Sequence, residues 1–133
     1  MGVVQDPVAD MLCRLRNAQG AGHASVEFPA SNLKEAILKI FSERGYIGGF
    51  SRVEQAPQDK LVVELRYDRD NRGLIQSMKR ISKPSRRIYV GVDEIPSVLN
   101  GLGVAVLSTS KGVLADDDAR AANVGGELLC SIY

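Results

Sequence analysis

The chain has 133 residues, 44% of them apolar, enough for one domain or two small lobes with a core. Lysine and arginine outnumber aspartate and glutamate by only 17 to 16, so overall charge does not single out nucleic acid, and any such case rests on local distribution. No apolar run approaches the roughly 20 residues of a membrane span, and the N-terminus lacks the charged and apolar regions of a secretion signal; a cytoplasmic protein with reduced thiols at Cys13 and Cys130 is expected.

Asp6-Pro7 reads as a helix start, because aspartate caps free amides and proline suits the first turn. The helix runs to about Gly20, with Val8, Met11, Leu12 and Leu15 on one stripe and Asp10, Arg14 and Asn17 away from it. Ser25 to Pro29 reads as a short strand, and Ser31 as the cap of a second helix with an apolar stripe of Leu33, Ala36, Ile37, Ile40 and Phe41. Tyr46 to Glu54 and Lys60 to Tyr67 read as strands joined by a polar turn; in the second, Leu61, Val63 and Leu65 alternate with Val62, Glu64 and Arg66. The polar segment Asp68 to Gly73 closes this first lobe.

From Arg72 to Val90 there are six basic residues and no acidic one, an excess that the net charge conceals. Leu74 to Ile81 fits a helix or a strand, and the strand is preferred. Pro84 marks a turn. Arg87 to Val90 then forms a short strand projecting Arg87 and Tyr89 on one face, a cation beside an aromatic ring suited to phosphate and nucleotide, or else a solvated basic edge. Asp93 to Asn100 carries helix signals, with Pro96 in the first turn.

Gly101 to Gly112, GLGVAVLSTSKG, is a buried strand ending in a polar tip. Ser108, Thr109 and Ser110 offer short donors and acceptors, Lys111 a mobile charge, and Gly112 a tight turn. Such a tip grips a phosphate, a ribose or a base edge, or is simply a polar turn. Asp116 to Asp118 start a further helix toward Gly125, and Gly126 to Tyr133 read as a last strand with Cys130 in the core. No nucleophile elbow, zinc helix or phosphate loop is present, His23 has no partner motif, and no cofactor or metal site is expected. A serine hydrolase built on the tip, or a basic module docking an acidic protein, stands as the alternative to nucleic-acid binding.

Four segments in order, DPVADMLCRLRNA (Asp6 to Ala18), RIYVG (Arg87 to Gly91), GLGVAVLSTSKGV (Gly101 to Val113) and GGELLCSIY (Gly125 to Tyr133), resemble the bacterial small-subunit ribosomal protein S-eight family along essentially the whole chain. The resemblance implies an α+β fold of two lobes, α/β over residues 1–70 and mostly β over residues 71–133. It also implies a non-enzymatic protein of the small ribosomal subunit that binds the central domain of 16S ribosomal RNA, promotes assembly, neighbours the fifth small-subunit protein and represses its own operon messenger. The RNA-facing positions it implies are Ser108, Thr109, Ser110, Lys111 and Gly112; Lys83, Arg87 and Tyr89; Gly125, Gly126 and Glu127; and, for a separate RNA segment, Asp6, Arg14, Asn17, Ser31 and Lys34. Glu127 either accepts a hydrogen bond from the RNA or holds a basic neighbour in place. Two departures from the family pattern are Ser85, where glycine commonly follows the proline, and Asn32, where a lysine is frequent.

Overall fold

A computed structural model describes residues 6–133. The class is α+β, and the described residues form two compact units: Asp10–Gln76, and residues 6–9 together with Ser77–Tyr133.

Helix α1 spans Pro7–Gly20 and opens on a cap in which Ala9 N donates to Asp6 Oδ1 at 3.2 Å. Its expected stripe, Val8, Met11, Leu12 and Leu15, is buried throughout. In the unit Asp10–Gln76, strands β1 (Ser25–Pro29), β2 (Ile47–Val53) and β3 (Lys60–Leu65) form an antiparallel sheet with β3 in the centre. Leu61 and Val63 of β3 are fully buried, as the alternation requires, and pair with Phe28 and Val26 of β1.

Helix α2 (Asn32–Glu43) packs on β2 and is capped by Ser31, whose Oγ accepts from Lys34 N at 3.2 Å. Its stripe differs from expectation in two places. Leu38 widens the buried arc beyond Ile37 and Phe41, while Leu33, although it shares the angle of Ile37 and Ile40, lies in the first turn of the helix and stays 38% exposed. The same arc takes in Lys34.

The polar segment after β3 is an ordered turn, with Asp68 Oδ1 accepting from Asp70 N and Arg72 N at 2.8 and 2.9 Å. Only Met78–Arg80 of the expected Leu74–Ile81 strand is one (β4). Ile75 is held by the Gln19 side chain, which donates to its carbonyl at 2.8 Å and accepts from its amide at 3.1 Å.

The second unit is a five-stranded antiparallel sheet. Strands β4, β8 (Gly126–Ile132), β6 (Val104–Thr109) and β7 (Gly112–Ala115) lie in that order, and β5 (Tyr89–Val90) also pairs with β8. Ala105, Leu107 and Leu128 pack with Ile95 and with Ala119 of helix α3 (Asp116–Ala121). Asp116 of the acidic cluster is buried, accepting from Ala105 N at 3.2 Å and pairing with Arg120 at 2.9 Å. Cys130 is core, its thiol pushed up to about 12 by burial, and both cysteines are free.

The helix expected over Asp93–Asn100 is absent. Two 3-10 turns, Val92–Glu94 and Leu99–Gly101, take its place. Pro96 confines Ile95 to extended backbone (ψ 121°), and Leu99 and Asn100 adopt left-handed conformations, φ 46° and 53°, incompatible with a continuous helix.

Candidate nucleic-acid interface

The polar tip is the turn of the β6–β7 hairpin. Thr109 pairs with Gly112, and Ser110 and Lys111 form the two-residue connection. Gly112 has φ 107°, a conformation that glycine takes without a Cβ penalty. Thr109 is occupied within the turn: its Oγ1 donates to Gly112 O at 2.8 Å and accepts from Lys111 N at 3.1 Å. That division of labour leaves Ser110 and Lys111 exposed at the end and Ser108 half-buried behind them.

Register fixes what stands beside Ser108. Glu127 of β8 pairs with Ser108 on one side and with Tyr89 of β5 on the other. Paired residues of neighbouring strands share a face, so Tyr89, Glu127 and Ser108 form one cross-strand row. Tyr89 is 68% exposed, the conspicuous aromatic of this surface.

Two glycines hold the row together by closeness. A Cβ on Gly126 would lie 2.1 Å from Ser108 O, and one on Gly125 would lie 2.3 Å from Val90 O. No side chain fits in either place.

Glu127 grips a basic neighbour. Arg87 Nη1 donates to its Oε2 at 2.9 Å, with the Glu127 side chain 15% exposed and that of Arg87 half exposed. Burial works to raise the Glu127 carboxyl, but hydrogen bonds from Arg87 and Ser82, with the charges of Arg87 and Arg80, hold it below its ordinary value. Of the two roles considered for this carboxylate, the structure displays the second, fixing the arginine. Lys83 sits where the chain doubles back: Lys83 N donates to Arg86 O and Arg86 N to Lys83 O, both at 2.9 Å. Ser85 within this turn has no positive φ, so its backbone does not call for glycine.

A family model described as ribosomal protein S8 matches residues 6–133. The chain belongs to the ribosomal protein S8 family. It is 50% identical over 130 residues to the small ribosomal subunit protein uS8 of Cellvibrio japonicus and 52% identical over 130 residues to that of Saccharophagus degradans, with 98% of each chain covered. With the protein of the same name from Parabacteroides distasonis, identity is 53% over 129 residues. Membership makes the chain a structural, non-enzymatic protein of the small subunit of the cytoplasmic ribosome. No helix among the described residues is long and apolar enough to cross a membrane.

The amino-terminal positions implied by this family each have work inside the protein. Asp6 caps α1 and pairs with Arg80 at 3.0 Å, and Ser31 caps α2. Lys34 is buried, donating to Pro29 O at 2.8 Å with its ammonium 5.8 Å from the centre of the Phe28 ring; burial lowers its pKa, more than the Asp10 charge raises it. Arg14 pairs with Asp10 at 3.0 Å and Asn17 Nδ2 donates to Cys13 Sγ at 3.6 Å, both on the exposed side of α1. Asn32 accepts from Arg52 Nη1 at 3.2 Å.

Two residues that build the site escape sequence reasoning. Arg80, one cation among six, donates to Leu129 O at 2.7 Å as well as pairing with Asp6. Ser82 is wholly buried and accepts from Ile88 N at 2.8 Å. Arg80 meets Asp6 and Leu129 from far along the chain, and Ser82 meets an amide six residues on across a turn, so neither contact follows a helix or strand period.

Proposed function

We propose that the chain binds the central domain of 16S ribosomal RNA directly and promotes assembly of the small subunit, with its carboxy-terminal lobe, from residue 71 onward, as the principal RNA-binding part. The observation that carries this reading is the row of Tyr89, Glu127 and Ser108 across three paired strands, continued by the exposed Ser110–Lys111 turn. The deep, narrow major groove of A-form RNA excludes side chains, whereas irregular loops and the shallow minor groove present bases and 2′-hydroxyls. Small hydroxyl residues reach such a surface, and a flat exposed tyrosine stacks on a base or packs against a sugar. Lys83, Arg87 and Lys111 neutralise phosphates, while Thr109, Gly112, Gly125 and Gly126 set backbone shape.

Of the amino-terminal set, exposed Arg14 and Asn17 are the residues for a second RNA segment, and Asp6, Ser31 and Lys34 act within the fold. The fifth small-subunit protein is the neighbour this reading includes. A segment of the operon messenger imitating the ribosomal site would occupy the same row. Family resemblance, together with the match over residues 6–133, supports all three assignments.

Filter binding to a central-domain transcript, with transfer RNA as competitor, tests the reading. Preference for the transcript is expected, with a salt slope worth about two to four phosphates, because the net charge is only +1 and the exposed cations proposed, Lys83, Arg87, Lys111 and Arg14, are few. Equal affinity for both RNAs overturns specific recognition.

A further inference from the structure

The five-stranded sheet has two faces, and the row of Tyr89, Glu127 and Ser108 occupies one of them. The strand neighbours of those residues, Ile88, Leu128 and Leu107, point to the other face, because successive side chains alternate. Ile95 and Ala119 of α3 pack there, with α3 lying on β6 and β7, at the far side of the sheet from β4. At the β4 end the same face opens into a cleft of about 530 Å³, lined by Ile81, Ile88, Pro96, Val98, Ala105 and Leu128. The wall formed by Pro96 and Val98 is fixed: Pro96 O accepts from Arg120 Nη2 at 2.8 Å, and Val98 O accepts from Gly101 N and Gly103 N at 3.0 Å each. The cleft is therefore preformed, and its size suits a bound ligand.

Its rim is cationic. Lys79 of β4 forms one cross-strand row with Ser131 of β8 and Ala105 of β6, which places it over the apolar lining, and Lys83 borders the cleft four residues further on. Both lysines are exposed, and neither makes an ion pair among the described residues. Arg80, which also borders the cleft, is committed to Asp6 and to Leu129 O. We propose that this cleft is a docking site for an acidic protein segment, whose apolar side chains enter against Val98 and Ile81 while its carboxylates meet Lys79 and Lys83. Charge complementarity decides the occupant, since unpaired cations around an apolar floor match carboxylates around apolar side chains. RNA suits the cleft less well, because no aromatic ring among the described residues lines it for a base to stack on. The proposal goes beyond RNA binding, concerns the opposite face of the sheet and shares only Lys83 with that reading.

The test titrates the full chain with the capped pentapeptide Glu-Leu-Pro-Leu-Glu, whose carboxylates are four residues apart, as the two lysines are, and whose proline keeps it extended. Amide NMR should show saturable shifts centred on Ile81, Val98 and Ser131, with a dissociation constant of about 1 mM or lower. Lys79→Glu, at an exposed position that leaves the fold intact, should weaken the peptide at least about fivefold, and the counterpart Lys-Leu-Pro-Leu-Lys should not bind. No saturable shift at those amides, equal binding of the two peptides, or an unchanged affinity in Lys79→Glu overturns the proposal. If Lys79→Ala weakens the central-domain 16S transcript as much as Lys111→Ala does, the cleft belongs to RNA and the proposal fails. A wild-type chain that binds transfer RNA as well as the transcript would overturn the RNA reading alone, because the peptide titration contains no RNA.

Discussion

Lys34 and Arg52 in one unit, and Lys83, Arg87 and Lys111 in the other, put their charges to different uses. In Asp10–Gln76, Lys34 donates to a carbonyl from a buried position, and Arg52 bridges Glu35 and Asp59 at 3.0 Å each. In the unit containing Ser77–Tyr133, Lys83 and Lys111 are exposed, and Arg87 is held by Glu127 with half of its side chain open to solvent. A count of basic residues therefore misjudges both units. A cation serves recognition only when the fold leaves it exposed, and it is most selective when a neighbour fixes its direction, as Glu127 does for Arg87.

The strongest way to break that contrast is to spoil the sheet that sets the row. Gly126→Ala places a methyl 2.1 Å from Ser108 O, and because the obstacle is backbone, β6 and β8 must move apart. A loss of about 3 kcal/mol is expected, read from the denaturant midpoint. A change below about 1 kcal/mol would mean that the strands separate easily and that the row is not rigid. Tyr89→Ala comes next and acts on binding alone: with the ring 68% exposed, stability should stay within about 0.5 kcal/mol, while the transcript is bound more weakly by about 1–3 kcal/mol if a base stacks there. Unchanged affinity would remove Tyr89 from the interface.

A pair of lysine variants sharpens the contrast directly. Lys34→Ala leaves the Pro29 carbonyl without its donor and removes a buried stem, so stability should fall by about 1–2 kcal/mol with binding to the transcript unaltered. Lys111→Ala should do the reverse, leaving the thermal midpoint in place and lowering the salt slope by about one phosphate. Swapped results would exchange the roles assigned to the two residues.

What the sequence discloses here depends on the range of the interaction. Asp6 and Ser31 are legible as caps because donor and acceptor lie within three residues, and the polar tip is legible because an apolar run ends in it. The 3-10 turns around Pro96 are not, since helix signals on either side say nothing of left-handed Leu99 and Asn100. Lys34 is hidden for a related reason: a reading that assigns only apolar residues to a buried arc passes over a lysine within it. The row of Tyr89, Glu127 and Ser108 depends on the register of three strands, with a shift between Val106 and Leu107, and no short window contains it. Family resemblance supplied those residues as a set, and the sheet supplies the reason they meet.

The smallest expected effect concerns pH. Glu127 is held below its ordinary value of 4.5 when folded, mainly by hydrogen bonds from Arg87 and Ser82 acting against burial. The unfolded chain therefore binds a proton at Glu127 before the folded one does. The carboxylate's contribution to stability is fully present above the ordinary value and is lost as pH falls through the lower folded one. Wild type and Glu127→Gln should accordingly differ in thermal midpoint at neutral pH and converge at acid pH, where the wild-type carboxyl is also uncharged. A difference that stays constant down to pH 3 would show that folding does not favour the charged carboxylate over the protonated one, and the ion pair with Arg87 would then add nothing to stability.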